Sequence, residues 1–472
     1  MKKEISTSIR IILKRGCLLL SCGVIGFLLI ILSNLLPVER IRSHIRNGAE
    51  ILIQNSAQYQ YADGYVSAVM DNSTDDLILA KAVYQSTDPV QDAVMVPNYS
   101  YPGEDAGGLI LFETLNREST DDAYIDTYPI YWHGYLAVLR PLFLILTYAD
   151  FRILNQILEL ILFTAVLYLM QKRGLGKFIP AFVVMIAFWN PGTMGVSLQY
   201  APCYYLSMGG SIIVLLGENA ASRPSVLKSG AAQEEKIASS WKRGQCGSSK
   251  TTEEAGVLTF FMMQGVLTAY FDFLTYPIAT FGVPMIFVIL RRNSAGAEQL
   301  TSYVARLQYL VRCGLWWVVG YAGMWAEKWI YGSFLSGSNI LSIATGKISE
   351  RASAEEAGEQ ISRLGTVGYL LHYALLKKPY IILFLLFLMV IAAWLWKNRN
   401  CAADGTADAE EKRTKIYLEL VCIGVLPLVW YFVAANHSYI HPRLVYRAMG
   451  VVILSTGCAL TELFFCVLHG KK

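Results

Sequence analysis

Three carboxylates lie within six residues of an otherwise hydrophobic chain. They are Asp71, Asp75 and Asp76, in the stretch VMDNSTDDLILAK. Three acids with apolar residues on both sides, near a membrane face, favour a functional site over a purely structural one, which makes Asp71 and Asp75 candidate functional residues and Asp76 a candidate substrate contact. The structural alternative is a helix N-terminus, in which Asp71 or Ser73 caps a helix that starts near Thr74 and the later acids lie in its first turn.

A second group of candidate residues is basic and lies near the C-terminus, in AANHSYIHPRLVYRAMG. His437, His441, Arg443 and Arg447 fall within eleven residues, and two arginines four apart share one face of a helix. Arginine presents a planar fork that matches a phosphate group, so this patch is a candidate phosphate site. The alternative is arginines that anchor a helix end at the membrane surface. The His-x-x-x-His spacing also suits zinc, but Pro442 follows at once, and no metal is expected here.

Three more residues are candidate substrate contacts. Asp272 lies in the very short turn of TAYFDFLTYP, and His133 and Arg140 lie in the aromatic stretch YPIYWHGYLAVLRPL. The alternatives are a turn former for Asp272 and membrane-interface anchors for the other two. Arg351 and Arg363, further along the chain, could close over a site.

The elements that must position these side chains are membrane helices. The chain of 472 residues is 54% apolar and only 16% charged, and it contains uncharged runs such as CLLLSCGVIGFLLIILSNLL. A run of this length crosses the roughly 30 Å of hydrocarbon in a bilayer, and only helices or closed barrels satisfy their backbone there. We therefore predict an all-α polytopic membrane protein with about ten transmembrane helices and a long first extracytoplasmic loop that carries interfacial helices.

The placement of basic residues predicts the topology. The stretch Trp132–Tyr148 is short, and if it crossed the membrane three basic segments would move outside. It is therefore predicted to be an interfacial or re-entrant helix on the outer face, with both termini cytoplasmic, in an integral, multi-pass protein of the plasma membrane. The predicted regions are an anchor helix (1–37), an extracytoplasmic loop (38–150), transmembrane helices (151–217), a flexible cytoplasmic loop (218–256), transmembrane helices (257–331), an extracytoplasmic loop (332–378) and C-terminal transmembrane helices (379–472).

The order of these features resembles the GT-C superfamily of integral membrane glycosyltransferases. A first span leads to an outer loop with DNSTDD near its start, followed by a surface helix, a hinge with an arginine and a long apolar span that ends in basic residues, YWHGYLAVLRPLFLILTYADFRILNQILELILFTAVLYLMQKR. The resemblance covers the N-terminal half of the chain, to about Leu216. The family commonly has a tight pair of acids early in this loop, whereas this chain has Asp71 and the adjacent Asp75 and Asp76.

The resemblance implies transfer of a sugar from a polyprenyl-phosphate donor to a cell-envelope glycan or lipid acceptor on the outer face of the membrane. Asp71 or Asp75 would be the general base, and Arg443 and Arg447, with His437 or Arg140, would hold the departing lipid phosphate. The expected partners are the lipid-linked donor, the acceptor and membrane lipid, with no nucleic acid. No motif requires a cofactor, and participation of a divalent cation stays open.

The alternative function is a transporter or flippase of a lipid-linked or anionic solute. Such a protein carries ionisable groups near the middle of the membrane and often contains internal repeats with broken helices. This chain has no clear repeat, and its candidate charges collect at one predicted face. A non-catalytic scaffold for cell-envelope assembly is the third possibility.

Overall fold

The computed structural model describes residues 2–54, 58–101, 109–117, 121–217, 254–294, 302–356, 359–397 and 407–469. The fold is almost entirely α-helical. The helices are α1 (Lys2–Asn34), α2 (Val38–Gln54), α3 (Asn72–Ala82), α4 (Pro89–Met95), α5 (Leu109–Asn116), α6 (Leu136–Phe143), α7 (Tyr148–Lys172), α8 (Ile179–Trp189), α9 (Pro191–Met194), α10 (Ala201–Leu216), α11 (254–271), α12 (Ile278–Ser294), α13 (Tyr303–Ser336), α14 (Ile340–Ala352), α15 (Arg363–Leu370), α16 (Lys378–Lys397), α17 (Ala407–Val433), α18 (Ala435–Ile440), α19 (Pro442–Val445) and α20 (Gly450–His469).

Short strands in the described residues form three antiparallel pairs, all outside the long helices. The pairs are β1 (Gln58–Gln60) with β2 (Val69–Asp71), β3 (Pro97–Ser100) with β4 (Tyr124–Thr127), and β5 (Glu355–Glu356) with β6 (Glu359–Gln360).

Four helical segments of the described chain are long and apolar enough to cross a membrane. They are Ile9–Asn34, Tyr148–Lys172, Ile416–Val433 and Pro442–Phe464. A fifth is obtained if α15 and α16, which meet at an angle of 73°, are one broken span. At 1.5 Å per residue, helices of this length cover about the thickness of the hydrocarbon layer. The prediction of a helical protein is confirmed, with four or five helices that could cross a membrane by length and composition.

Ten spans remain a prediction, because the other helices are shorter or carry charge. Helices α10 and α12 have 16 and 17 residues. Within the predicted transmembrane region 151–217, helix α8 ends at Trp189, and the next residue, Asn190, has a left-handed φ of 58° that breaks the helix. Helix α13 is long, but Glu327 and Lys328 lie within it. The predicted cytoplasmic loop 218–256 lies almost entirely outside the described residues.

The segment between α1 and α7 folds into a layer with its own apolar core, and it is called the outer layer below after the extracytoplasmic side predicted for it. Helix α2 is amphipathic and buries Ile41, Ile45 and Leu52 along one face against α3, α5 and α6. Helix α6, within the stretch predicted to be interfacial, has eight residues and is about 12 Å long, too short to cross a bilayer. This layer presents the carboxylates of α3 to the rest of the protein.

Basic side chains collect at one end of the helix bundle, opposite the layer. They lie near the start of α1 and α13 and the ends of α7 and α12. Their contacts join Arg15 to Thr259, Arg312 to Glu254, Arg292 and Arg306 to Glu419, Lys177 to Glu462, and Arg173 to the carbonyl of Leu215. The basic segments that the positive-inside rule assigned to one side therefore contribute to a single end, and its cytoplasmic orientation stays a prediction.

Arg140 joins the end of α1 to the end of α3. Its buried guanidinium donates to the Ser33 carbonyl (3.2 Å), to Asn34 Oδ1 (2.7 Å), to the Ala82 carbonyl (3.0 Å) and to the Tyr84 carbonyl. The planar fork of arginine can serve four acceptors in fixed directions, which a lysine ammonium cannot. Arg140 thus fastens the outer layer to the first long helix.

Replacement of Arg140 tests this fastening. We expect Arg140→Ala to lower the free energy of unfolding by more than about 3 kcal/mol, because four acceptors lose their donor, and Arg140→Lys to recover little of it. Thermal unfolding in nanodiscs measures the effect, with Arg46→Ala as the control, since exposed Arg46 makes one surface contact with Asn116. Equal melting temperatures for the two alanine variants would contradict the assignment.

Candidate functional site

Asp71 pairs with Arg443 across the boundary between the outer layer and the C-terminal helices. The Asp71 carboxylate is 3% exposed, and its Oδ2 lies 3.5 Å from Arg443 Nε. The same carboxylate caps α3, accepting hydrogen bonds from the Thr74 amide (3.3 Å) and hydroxyl (2.8 Å). The predicted helix cap is therefore confirmed, and this cap is also the acid that meets the basic patch.

Asp71 and Arg443 both lie near a boundary between secondary-structure elements. Asp71 is the last residue of β2, which pairs with β1, and it is also the N-cap of α3. On the other side, the chain between α17 and α20 forms only the short helices α18 and α19, with Pro442 at the first position of α19, where a missing amide costs nothing. Helix α19 packs against the single turn Val66–Ala68, which lies directly before β2.

Arg447 is fully buried beside this pair. Its guanidinium lies 3.6 Å from the centre of the Tyr200 ring, and it donates to the carbonyls of Trp189 and Arg443, both at 3.1 Å. Asp71, Arg443 and Arg447 all interact electrostatically with Tyr200. The sequence offered no signal for Tyr200 or Trp189, because single aromatic residues in an apolar run read as membrane-helix packing.

Asp75 and Asp76 turn to other partners. Asp75 accepts from the Tyr148 hydroxyl (2.7 Å) and from the Leu198 amide (3.0 and 3.1 Å to its two oxygens). Burial raises the pKa of Asp75 to about 7, against the lowering effect of these hydrogen bonds. Asp76 accepts from the Leu111 amide at 3.1 Å. These contacts connect α3 to its neighbours. Asp75 and Asp76 thus differ from Asp71, whose charged partner is Arg443.

The two histidines of the basic patch are neutral. His437 is 3% exposed, and its ring centre lies 5.0 Å from that of His441. Burial, then the neighbouring His441, lowers the pKa of His437 to about 3, and burial, then Arg351, lowers the pKa of His441 to about 4. Arg351 Nη1 lies 3.4 Å from His441 Nε2. The positive charge of the patch therefore comes from three arginines, one of them contributed by α14.

The other predicted site residues make local contacts. Asp272 accepts from the amide of Thr275 (3.2 and 3.1 Å) and from its hydroxyl, as a turn former does, and burial raises its pKa to about 6. His133 has a left-handed φ of 53°, and its Nδ1 lies 3.0 Å from the Tyr131 carbonyl. Burial lowers the pKa of His133 well below its usual value. Arg140 is the exception, because its partners are the distant acceptors at the ends of α1 and α3.

An apolar cleft of about 260 Å³ lies between helices α8, α16 and α20. Its lining includes Val184, Phe188, Tyr380, Phe384, Ile453 and Gly457. The hydroxyl of the lining residue Tyr380 bonds Ser67 Oγ. The Phe188 ring there contacts the Tyr446 ring, which lies 4.7 Å from the Arg447 guanidinium. The cleft and the charged pair are thus joined by a short series of aromatic contacts.

Comparison with protein-family models, with curated proteins and with solved structures finds no match to this chain. Within the described ranges, no group of three or more His, Cys, Asp or Glu side chains is arranged to hold a metal ion. The interpretation of the site therefore depends on its own geometry.

The raised pKa of Asp75 predicts a pH-dependent stability. The folded protein holds this proton more tightly than the unfolded chain, whose aspartate has the ordinary value of 3.8, so the contribution is present below about pH 4 and is lost as pH rises through about 7. Asp75→Asn is neutral at every pH. We expect the melting temperature of the wild-type protein to fall relative to that of Asp75→Asn over this range. If the melting temperatures of the two proteins change with pH in the same way, the assignment is contradicted.

Proposed function

We propose that this protein is a membrane glycosyltransferase that moves a sugar from a polyprenyl-phosphate donor to a cell-envelope glycan or lipid acceptor at the outer face. The observation that carries the proposal is the contact of Asp71 with Arg443, and the rings of Phe188 and Tyr446 connect an apolar cleft to the neighbouring Arg447. An acid, a cationic patch and an apolar groove are the three parts that such a reaction needs. Their arrangement agrees with the resemblance to the GT-C superfamily noted from the sequence.

In this proposal the donor binds with its apolar chain in the cleft and its phosphate at the arginines. Its apolar chain lies against Phe188, Phe384 and Ile453, while its phosphate takes the place next to Arg443 and Arg447. Arg443 suits this role because its side chain is 23% exposed and its 3.5 Å contact with Asp71 is long for a charge-assisted hydrogen bond. A phosphate is the stronger, bidentate partner, and on binding it releases Asp71 from the ion pair.

The reaction is a single displacement at the anomeric carbon of the sugar. The acceptor hydroxyl oxygen forms the new bond to that carbon, and Asp71 accepts its proton. The bond between the anomeric carbon and the phosphate oxygen breaks, and its electron pair stays on the lipid phosphate. Arg443 and Arg447 stabilise the negative charge that grows there, and the configuration at the anomeric carbon inverts.

Asp71 is the better candidate base of the two that the sequence indicated. Both carboxylates accept hydrogen bonds inside the protein: the Asp75 oxygens from Tyr148 and Leu198, and the Asp71 oxygens from the amide and hydroxyl of Thr74. Their positions distinguish them, because Asp71 contacts Arg443, which would hold the leaving group. A base must be within hydrogen-bonding reach of the attacking hydroxyl, which lies near the leaving group's carbon.

The second candidate function is a transporter or flippase of a lipid-linked or anionic solute. The bend of 73° between α15 and α16 favours it, since transporters commonly build their sites from broken helices. Glu159, buried within α7, is an ionisable group inside a candidate span. Against it stands the position of Asp71 and Arg443 at one end of the bundle.

Paired substitutions test the proposed reaction. Lipid extracts and envelope glycans are compared between cells with and without the gene, and the missing product is then measured for each variant. We expect Asp71→Asn to lower sugar transfer by about 10²-fold or more, the usual contribution of a general base, and Asp75→Asn to keep transfer within about tenfold of the wild-type rate.

Two results would contradict the proposal. The first is full transfer by Asp71→Asn in protein that is present in the membrane at wild-type levels, which would exclude Asp71 as the general base. The second is movement of a lipid-linked solute across the bilayer with no change in its covalent structure, which would favour the transporter.

A further inference from the structure

A row of aromatic rings lies along helix α13 and continues onto the outer layer. Trp317 and Tyr321 are stacked with ring centres 5.0 Å apart, and Trp325 follows at 5.8 Å from Tyr321. Tyr131 meets the Trp325 ring edge-on at 5.2 Å. Tyr131, Tyr321 and Trp325 are called the aromatic wall below.

Two polar atoms of the aromatic wall are buried without a hydrogen-bond partner. They are Trp325 Nε1, on a residue 8% exposed, and the Tyr321 hydroxyl. Buried indole and phenol groups normally find a partner. Trp329, one turn further along the same helix, obeys this rule: its Nε1 donates to the Ile130 carbonyl at 2.9 Å. The wall therefore has donor capacity that the protein does not use.

His437 supplies an unused acceptor. Its Nε2 lies 2.8 Å from the Leu274 carbonyl, which can only accept, so Nε2 carries the proton. Nδ1 is then a lone pair, and it is buried with no hydrogen-bond partner. The pKa of about 3 keeps the ring in this neutral form.

The wall and His437 are connected through two charged residues. Asp272 interacts electrostatically with both Tyr131 and Tyr321, and it lies two residues from Leu274, whose carbonyl holds His437. Arg351 interacts with both Tyr131 and His437. Ring contacts follow the same path, from Tyr131 through His133 and Tyr135 to Phe273, the residue before Leu274, with ring centres 6.3, 5.7 and 5.9 Å apart. The aromatic wall and His437 therefore both border the turn that contains Asp272 and Leu274.

We propose that the aromatic wall and His437 bind the ring of a sugar, an inference that rests on the proposed function and names the residues that select its substrate. The C–H faces of a sugar ring are apolar and pack on aromatic rings. The hydroxyls of the sugar both donate and accept hydrogen bonds. The indole N–H and the tyrosine hydroxyl donate to the sugar, and His437 Nδ1 accepts from it. A metal ion does not suit the site, because Arg351 carries a positive charge there.

The test measures sugar binding without turnover. The full chain in nanodiscs, free of sugar-based detergent, is mixed with the methyl pyranosides of glucose, galactose, mannose and N-acetylglucosamine. Saturation-transfer NMR then shows which of them contact the protein. We expect at least one to give a signal.

Matched variants connect the signal to the site. Trp325→Phe keeps an aromatic ring and removes the unused N–H, and His437→Gln keeps a donor for the Leu274 carbonyl and removes the Nδ1 lone pair. Each is expected to weaken binding about fivefold or more, the usual effect of one lost hydrogen bond. Trp329→Phe is the control: it removes an N–H that the protein itself uses, so it lowers the melting temperature and leaves sugar binding unchanged.

The inference is overturned if no pyranoside gives a signal, or if Trp325→Phe and Trp329→Phe change it equally. Its failure is separable from failure of the proposed function. Sugar binding that depends on Trp325, in a protein with no transferase activity, would contradict only the enzyme. If Trp325→Phe changes neither sugar transfer nor sugar binding, only the role of the aromatic wall is contradicted.

Discussion

The ion pair between Asp71 and Arg443 is the interaction on which the account of this protein depends. A charge buried near an apolar region costs several kcal/mol unless an opposite charge or hydrogen-bond donors surround it. Asp71 is nearly inaccessible, and Arg443 and the two Thr74 donors compensate its charge. The outer layer and the C-terminal helices must dock for this to happen, and Arg447 then lies beside the pair, against the ring of Tyr200.

Other buried charges serve the scaffold, and their partners explain the difference. Arg140 is surrounded by carbonyl oxygens, Asp75 by a tyrosine hydroxyl and an amide, and Asp272 by its own turn. Each of these groups is satisfied inside the protein. Arg443 and His437, by contrast, keep polar atoms without a hydrogen-bond partner, and buried atoms of that kind are where a ligand is expected.

Local features of the fold could be predicted from the sequence, and long-range pairings could not. The cap at Asp71, the amphipathic face of α2 and the long apolar helices follow from spacing within one segment. The neutral state of His437 arises from burial by distant elements, so four basic residues within eleven positions suggested more charge than the site contains. The choice of Asp71 over Asp75 likewise depends on Tyr148 and Leu198, which no local pattern connects to them.

A double-mutant cycle on Asp71 and Arg443 tests the central claim most directly. The free energy of unfolding is measured in nanodiscs for the wild-type protein, Asp71→Asn, Arg443→Gln and the double variant. If the two side chains form a buried pair, the double variant loses less stability than the two single losses added together, by about 1 kcal/mol or more. Strictly additive losses would show that the acid and the arginine do not meet, and the site proposed here would not exist.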